Sequence, residues 1–221
     1  MAARKPHKEQ PATFQWSEEN LAWCDGQMQK YPEGRQASCV IPFLWRAQKQ
    51  EGWISIVAME AIAQQLDMPY IRVYEVATFY TMFNLAPVGK YFVQLCGTTP
   101  CMLRGAEDLK EVCRKVIGPE TTINASGNLS WLEVECLGAC CNAPMVQIND
   151  YYYEDLTAEK FEEILLKLDR DEYVEPGTFN PGRHTSDPEG DNTTLLDPAL
   201  YNGSAGKPVG KLPNSESAEK A

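Results

Sequence analysis

Cysteines carry the chemistry that this sequence offers. The segment VECLGACCNAPMVQIND, residues 134–150, crowds Cys136, Cys140 and Cys141 together. A second group lies upstream in LCGTTPCMLRG, where Cys96 and Cys101 are separated by four residues. Thiolates are ligands for soft metals, and closely spaced pairs can close on an ion or on a cluster. Structural zinc knuckles typically leave about two to four residues between ligands. Two sulfide-bridged irons take one cysteine pair each, and wider loops wrap a larger object. The C-x4-C and C-x3-C spacings admit both, and they lean toward a [2Fe–2S] cluster over zinc.

The surrounding residues suit sulfur. Gly97, Gly138 and Ala139 let backbone N–H groups come close, and Thr98 and Thr99 add hydroxyl donors. Cys101 is expected at a helix N-terminus, where the macrodipole favours thiolate. Cys140 and Cys141 are adjacent, and in an extended segment their side chains point to opposite sides. The preferred register pairs Cys136 with Cys140 and leaves Cys141 as a packed thiol; the rival register pairs Cys136 with Cys141. Cys24, Cys39 and Cys113 are expected as small core residues.

The rest of the composition removes alternatives. The only histidines are His7 and His184, both in terminal segments expected to be unstructured. Ser-His-Asp and Cys-His catalysis in the folded body are thereby disfavoured, as is a Rieske-type cluster with two histidine ligands. A net charge of −11 argues against nucleic acid, because phosphate binding needs a basic surface. SIVAMEAIAQQLDMPYIRVYEVATFY has a helix-turn-helix look, but its acidic setting repels phosphate. No apolar run has the length of a membrane helix, and MAARKPHKEQPATFQW lacks a signal core. Without an export signal, the eight cysteines read as free thiols or metal ligands.

Two kinds of periodicity must position these cysteines. From Ser17 to about Phe83 the pattern is helical: a first helix broken at Tyr31–Gly34, and a second over 38–50 stopping at Gly52. A third, capped by Ser55, runs to Asp67, and a fourth, opened by Pro69, covers 69–83. After Pro87 the signal changes. YFVQLC (91–96) reads as a strand, residues 102–117 as one amphipathic helix, and WLEVE (131–135) as a strand. MVQI and YYYE form a hairpin around Asn149–Asp150, and residues 157–168, opened by Thr157, form a last helix. The order β-α-β-β-β-α is compatible with a thioredoxin-like sheet. The reading is α+β: a flexible N-terminus at 1–13, a helical bundle at 14–87 and a thioredoxin-like domain at 88–175. A disordered Pro/Gly-rich tail follows at 176–221, in which TTLLDPALY (193–201) is the apolar segment.

CGTTPCMLRG, VECLGACCNAPMVQIND and YYYEDLT resemble the small [2Fe–2S] subunits of respiratory complex I, the NuoE or 24-kilodalton family. YPEGRQASCVIPFLWRAQKQEGWI and MPYIRVYEVATFYTMFNLAPVGKY resemble it too, so the likeness spans roughly Phe14 to Val174. The resemblance implies one [2Fe–2S] cluster on Cys96, Cys101, Cys136 and Cys140, with Cys141 excluded. It also implies a helical bundle joined to a thioredoxin-like ferredoxin domain. The implied role is single-electron exchange with FMN on an NADH-binding, NuoF-like flavoprotein subunit, alongside a NuoG-like iron–sulfur subunit. This chain has no G-x-G-x-x-G or P-loop, so FMN and NADH belong to the partner. The expected setting is peripheral, on the cytoplasmic side of a bacterial inner membrane, with the mitochondrial matrix side as the alternative. All-thiolate ligation implies a low potential, on the order of −400 mV for plant-type analogues. A homologous subunit of an NAD-linked hydrogenase or formate dehydrogenase is the runner-up; a zinc-stapled scaffold without redox function comes after it.

Overall fold

The computed structural model describes residues 5–181 and 183. Its first half is helical. Helix α1, Glu18–Met28, starts where the Ser17 hydroxyl accepts the Asn20 N–H, with Glu18 and Glu19 in the positive first turn. After a 3-10 turn at Gln36–Cys39, α2 covers Val40–Glu51 and stops at Gly52, whose φ of 81° a side chain would resist. Helix α3, Ile56–Gln65, is capped by the Ser55 hydroxyl, which accepts the Ala58 N–H. Helix α4, Tyr70–Phe79, follows Pro69 and ends before the expected Phe83, because Tyr80 turns extended. Phe43, Leu44, Met59, Ile62, Val73 and Phe83 interlock as the buried core of this half.

His7 differs from its expectation. Its N–H donates to the Leu85 carbonyl at 2.8 Å, and its ring meets Trp53 edge-on. It lies against the helical half, far in sequence from the cysteines. His184 and segment 193–201 lie outside the described residues.

The second half is a five-stranded mixed sheet in the order β2-β1-β3-β4-β5. Central β1, Tyr91–Cys96, pairs parallel with β2, Leu129–Val134, and antiparallel with β3, Val146–Ile148. β3 and β4, Tyr151–Glu154, form the expected hairpin, with Asn149 at φ 53° in its turn. Helix α7, Ala158–Asp169, is capped by Thr157 and packs on α6, Ala106–Val116, and on β2. Trp131, Phe161, Leu95, Leu109, Ile164 and Leu165 fill the space between helices and sheet.

Two elements depart from the sequence reading. The single helix expected over 102–117 is two, a short α5 at Thr99–Leu103 and then α6. Gly105 separates them with a φ of 110°, which no continuous helix accommodates. Past the start of the expected tail, Gly177–Thr178 forms β5, parallel to β4, and Phe179 stacks on Tyr153. Too short for periodicity, this strand is held by tertiary contacts alone. Among the described residues no helix is long and apolar enough to cross a membrane.

Candidate metal centre

Parallel pairing decides where the cysteines go. Cys96 stands opposite Val134 in the β1–β2 register, so both strands leave the sheet at the same edge. The Gly97 N–H extends the ladder to the Val134 carbonyl at 3.4 Å. Cys136, expected at the strand end, lies two residues beyond β2 in the loop. A Cβ on Gly97 would sit 1.9 Å from a Glu133 carboxylate oxygen, so the first loop runs tight against β2. Lys110 on α6 holds that carboxylate at 2.8 Å. Cys101 follows within α5, buried like Cys96.

All four expected ligands come together, as two pairs. The Cys136 and Cys140 sulfurs are 3.8 Å apart. That matches the thiolate–thiolate edge of a tetrahedral metal, about 3.8 Å for metal–sulfur bonds of about 2.3 Å. Cys96 and Cys101 are near enough for each to shift the other's pKa. The loops also meet each other: the Leu137 N–H, from the second loop, is near enough to the Cys96 sulfur to lower its pKa. Thr98 contributes its hydroxyl at 3.4 Å from the same sulfur, and its own N–H as well. In the second loop the Gly138 N–H donates to Cys136 at 3.4 Å, an approach made possible by a Gly138 φ of 82°.

The pairs differ in environment. Cys96 and Cys101 are 2% and 1% exposed, whereas Cys136, Cys140 and Cys141 face solvent. Burial works to raise the Cys96 thiol, but the Thr98 hydroxyl and the Leu137 and Thr98 N–H groups outweigh it and leave its pKa lowered. Cys101 goes the other way. Burial, then the Cys96 hydrogen bond and charge, push it up to about 12. The expected helix-dipole benefit at Cys101 is thus overridden, because α5 is five residues long and the thiol is shut away from water. Cys140 is raised chiefly by its hydrogen bond to Cys136, then by burial and by the charges of Cys136 and Cys96. These influences run across the two loops: Cys140 acts on Cys101, and Cys96 acts on Cys140.

This donor set fits a two-centre group. Among the described residues no three ligating side chains close on a single ion. Two thiol pairs on two loops, one of them at the span of a single metal, suit two bridged irons better than one zinc. N–H and hydroxyl donors already aimed at sulfur add to that fit.

Cys141 corrects one expectation. It is exposed, not packed, since Cys140–Asn142 is a 3-10 turn, where successive side chains diverge by a third of a circle, and the outward direction is solvent. Its carbonyl accepts from Arg183. Cys24, Cys39 and Cys113 are fully buried, as expected. Sequence reasoning missed the groups that hold the second loop. The Tyr152 hydroxyl donates to the Leu137 carbonyl at 2.7 Å, and Asn142 donates to Asp155 at 3.0 Å. These partners come from β4 and its exit, and no spacing rule points to them.

The comparisons with known proteins agree with this geometry. Residues 24–169 match the family described as thioredoxin-like [2Fe-2S] ferredoxin. The chain is 55% identical over 195 residues to the E 1 subunit of NADH-quinone oxidoreductase from Rhizobium meliloti (strain 1021), covering 86% of this chain and 70% of that one. It is 49% identical over 160 residues to the E-type subunit of NADH-quinone oxidoreductase from Rickettsia bellii (strain RML369-C), covering 72% of this chain and 96% of the relative. Among solved structures, NAD+-reducing [NiFe]-hydrogenase in the H2-reduced state superposes with a TM-score of 0.52 at 16% identity, over 60% of this chain. This chain spans 22% of that hydrogenase chain, and the likeness is one of fold. A family match covering residues 24–169 of 221 makes the chain a member of the thioredoxin-like [2Fe-2S] ferredoxins.

Proposed function

We propose that Cys96, Cys101, Cys136 and Cys140 hold one [2Fe–2S] cluster, and that the chain is the electron-transferring, NuoE-type subunit of an NADH–quinone oxidoreductase. The observation that carries the assignment is the delivery of both cysteine pairs to one edge of the sheet, where Cys96 stands opposite Val134 and the Cys136 and Cys140 sulfurs lie 3.8 Å apart. Relatives at 49% to 55% identity, named as NADH-quinone oxidoreductase subunits of this type, support the assembly.

Bound at these sulfurs, the cluster supplies storage and transfer of single electrons. The chain's own residues do the rest. Cys96 and Cys101 anchor one side away from water; the exposed Cys136–Cys140 loop presents the other to an approaching partner. Leu137, Thr98 and Gly138 aim donors at sulfur, which favours the more negative, reduced state. In this reading the helical part, residues 14–87, and the thioredoxin-like part, 88–175, form the body of a peripheral subunit. An FMN- and NADH-binding, NuoF-like flavoprotein and a NuoG-like iron–sulfur subunit are its partners, on the cytoplasmic side of a bacterial inner membrane.

Anaerobic purification tests this. The expected result is a reddish-brown protein with about two irons and two acid-labile sulfides per chain, co-purifying with a flavoprotein. Colourless protein holding zinc would overturn the cluster. Co-purification with a nickel-containing hydrogenase would overturn the assembly while leaving the cluster in place.

A further inference from the structure

Cys140 is exposed on a three-residue turn, and a solvent-facing ligand needs something else to fix it. The neighbours are unusually well anchored. Asp155 leaves β4 at a φ of 53°, an αL conformation that Asp tolerates. Its N–H donates to the Asn142 carbonyl at 2.8 Å, and its carboxylate accepts from the Asn142 side chain at 3.0 Å. The same carboxylate accepts from the Thr178 hydroxyl on β5 and from one nitrogen of Arg183. The other Arg183 nitrogen donates to the Cys141 carbonyl. The ring is closed: Asp155 to Asn142, back one residue to Cys141, to Arg183, and to Asp155 again.

The ion pair in this ring is buried. The Arg183 and Asp155 side chains are 6% and 7% exposed. The Lys90–Asp171 pair, beside the opposite end of β1, is about half exposed on both sides. Burying an ion pair incurs a desolvation penalty that often cancels its attraction, so such a pair is poor at adding stability and better at fixing one arrangement. A guanidinium fork spans two acceptors in fixed geometry, which a lysine cannot do.

We propose that Asp155, Arg183 and Asn142 form a clamp that positions the Cys140 turn at the metal centre, making Arg183 part of the centre's support. The proposal rests on the ligand assignment made above. These are positioning residues, acting through the turn that carries Cys140.

The test uses the full-length chain carrying Arg183→Gln, Asp155→Asn or Arg183→Lys, with Asp171→Asn as a control at the far end of β1. Three quantities are read: electron paramagnetic resonance line positions of the reduced protein, the rate of iron loss to bathophenanthroline, and the thermal midpoint. Arg183→Gln and Asp155→Asn are expected to shift the lines and speed iron loss about tenfold, the change expected from one lost charge-assisted hydrogen bond. Arg183→Lys keeps the charge but gives up the second prong, and is expected to fall between. Asp171→Asn is expected to leave lines and release rate at wild-type values. Unchanged lines and rates in the first two variants overturn the clamp, as does iron loss that follows the thermal midpoint across all four. If Asp155→Asn and Arg183→Gln do not fold, Arg183→Lys decides, and wild-type behaviour there overturns the proposal. A wild-type protein without iron would instead sink the ligand assignment itself.

Discussion

Cys96 stands opposite Val134 in the parallel β1–β2 register, so the two strand ends deliver the cysteines of both pairs to one edge of the sheet. The Thr98 hydroxyl lies 3.4 Å from the Cys96 sulfur, placed to donate to it as a thiolate. Donors to sulfur stabilise the more negative, reduced state and raise a potential. Thr98→Val keeps the shape and removes the hydroxyl. Its potential is expected to fall by tens of millivolts, given that about 59 mV corresponds to a tenfold change for one electron and a net hydrogen bond to about 1 kcal/mol. Redox titration followed by electron paramagnetic resonance checks both this and the low, plant-type starting value. A rise on substitution would show that the hydroxyl is not donating to the sulfur.

The register of the second loop gives a sharper contrast. Cys140 lies 3.8 Å from Cys136, while Cys141 faces solvent and lends only its carbonyl, to Arg183. Cys140→Ser is expected to lose the cluster absorbance or change it strongly, and Cys141→Ser to retain it. Bleaching by the second substitution alone would assign the ligand to Cys141.

Much of this is legible in the sequence. Ser55 and Thr157 cap their helices as their positions beside apolar periodicity foretell, and Asn149 turns the hairpin. The cysteine pairs proposed as ligands are legible because a cluster imposes local spacing. Gly105 does not read as a break, because the apolar positions on either side keep helical period across it. The clamp is hidden for a different reason. Asp155 and Arg183 are distant in sequence, and a charged residue near a chain end ordinarily reads as solvated. The helix-dipole argument at Cys101 fails on magnitude, since burial of a thiol outweighs the field of a single short turn.

Thiol labelling separates the eight cysteines by environment. Burial, helped by the Asp25 carboxylate, raises Cys24 to about 12; burial also raises Cys39 and places Cys113 far above the ordinary thiol range. Since the thiolate is the reactive form, these three stay neutral and inert at pH values near 8, about the ordinary thiol range. Iodoacetamide on intact, cluster-loaded protein is therefore expected to label Cys141 alone. Removing the metal with chelator is expected to add Cys136 and Cys140, the other exposed thiols. Mass spectrometry of peptides reads the sites, and rapid labelling of Cys113 in folded protein would contradict its burial.

Two glycines with opposite surroundings test how the fold positions the centre. Gly26 lies inside α1, exposed, with nothing within 4 Å of the space a Cβ would take. Gly26→Ala is expected to stabilise by about 0.5–1 kcal/mol, through helix propensity and lost unfolded-state freedom. Gly89 enters β1 with its N–H on the Ser130 hydroxyl at 2.9 Å, and a Cβ there would lie 2.6 Å from the backbone carbon of Leu129. That neighbour is main chain and cannot swing aside, so Gly89→Ala must part β1 from β2 at their start. It is expected to cost about 2 kcal/mol or more, lowering the thermal midpoint by several degrees. The β1–β2 register that places Cys96 beside the second loop is loosened by the same movement. Faster iron loss is therefore expected in Gly89→Ala and not in Gly26→Ala, with thermal denaturation and iron release measured side by side on both.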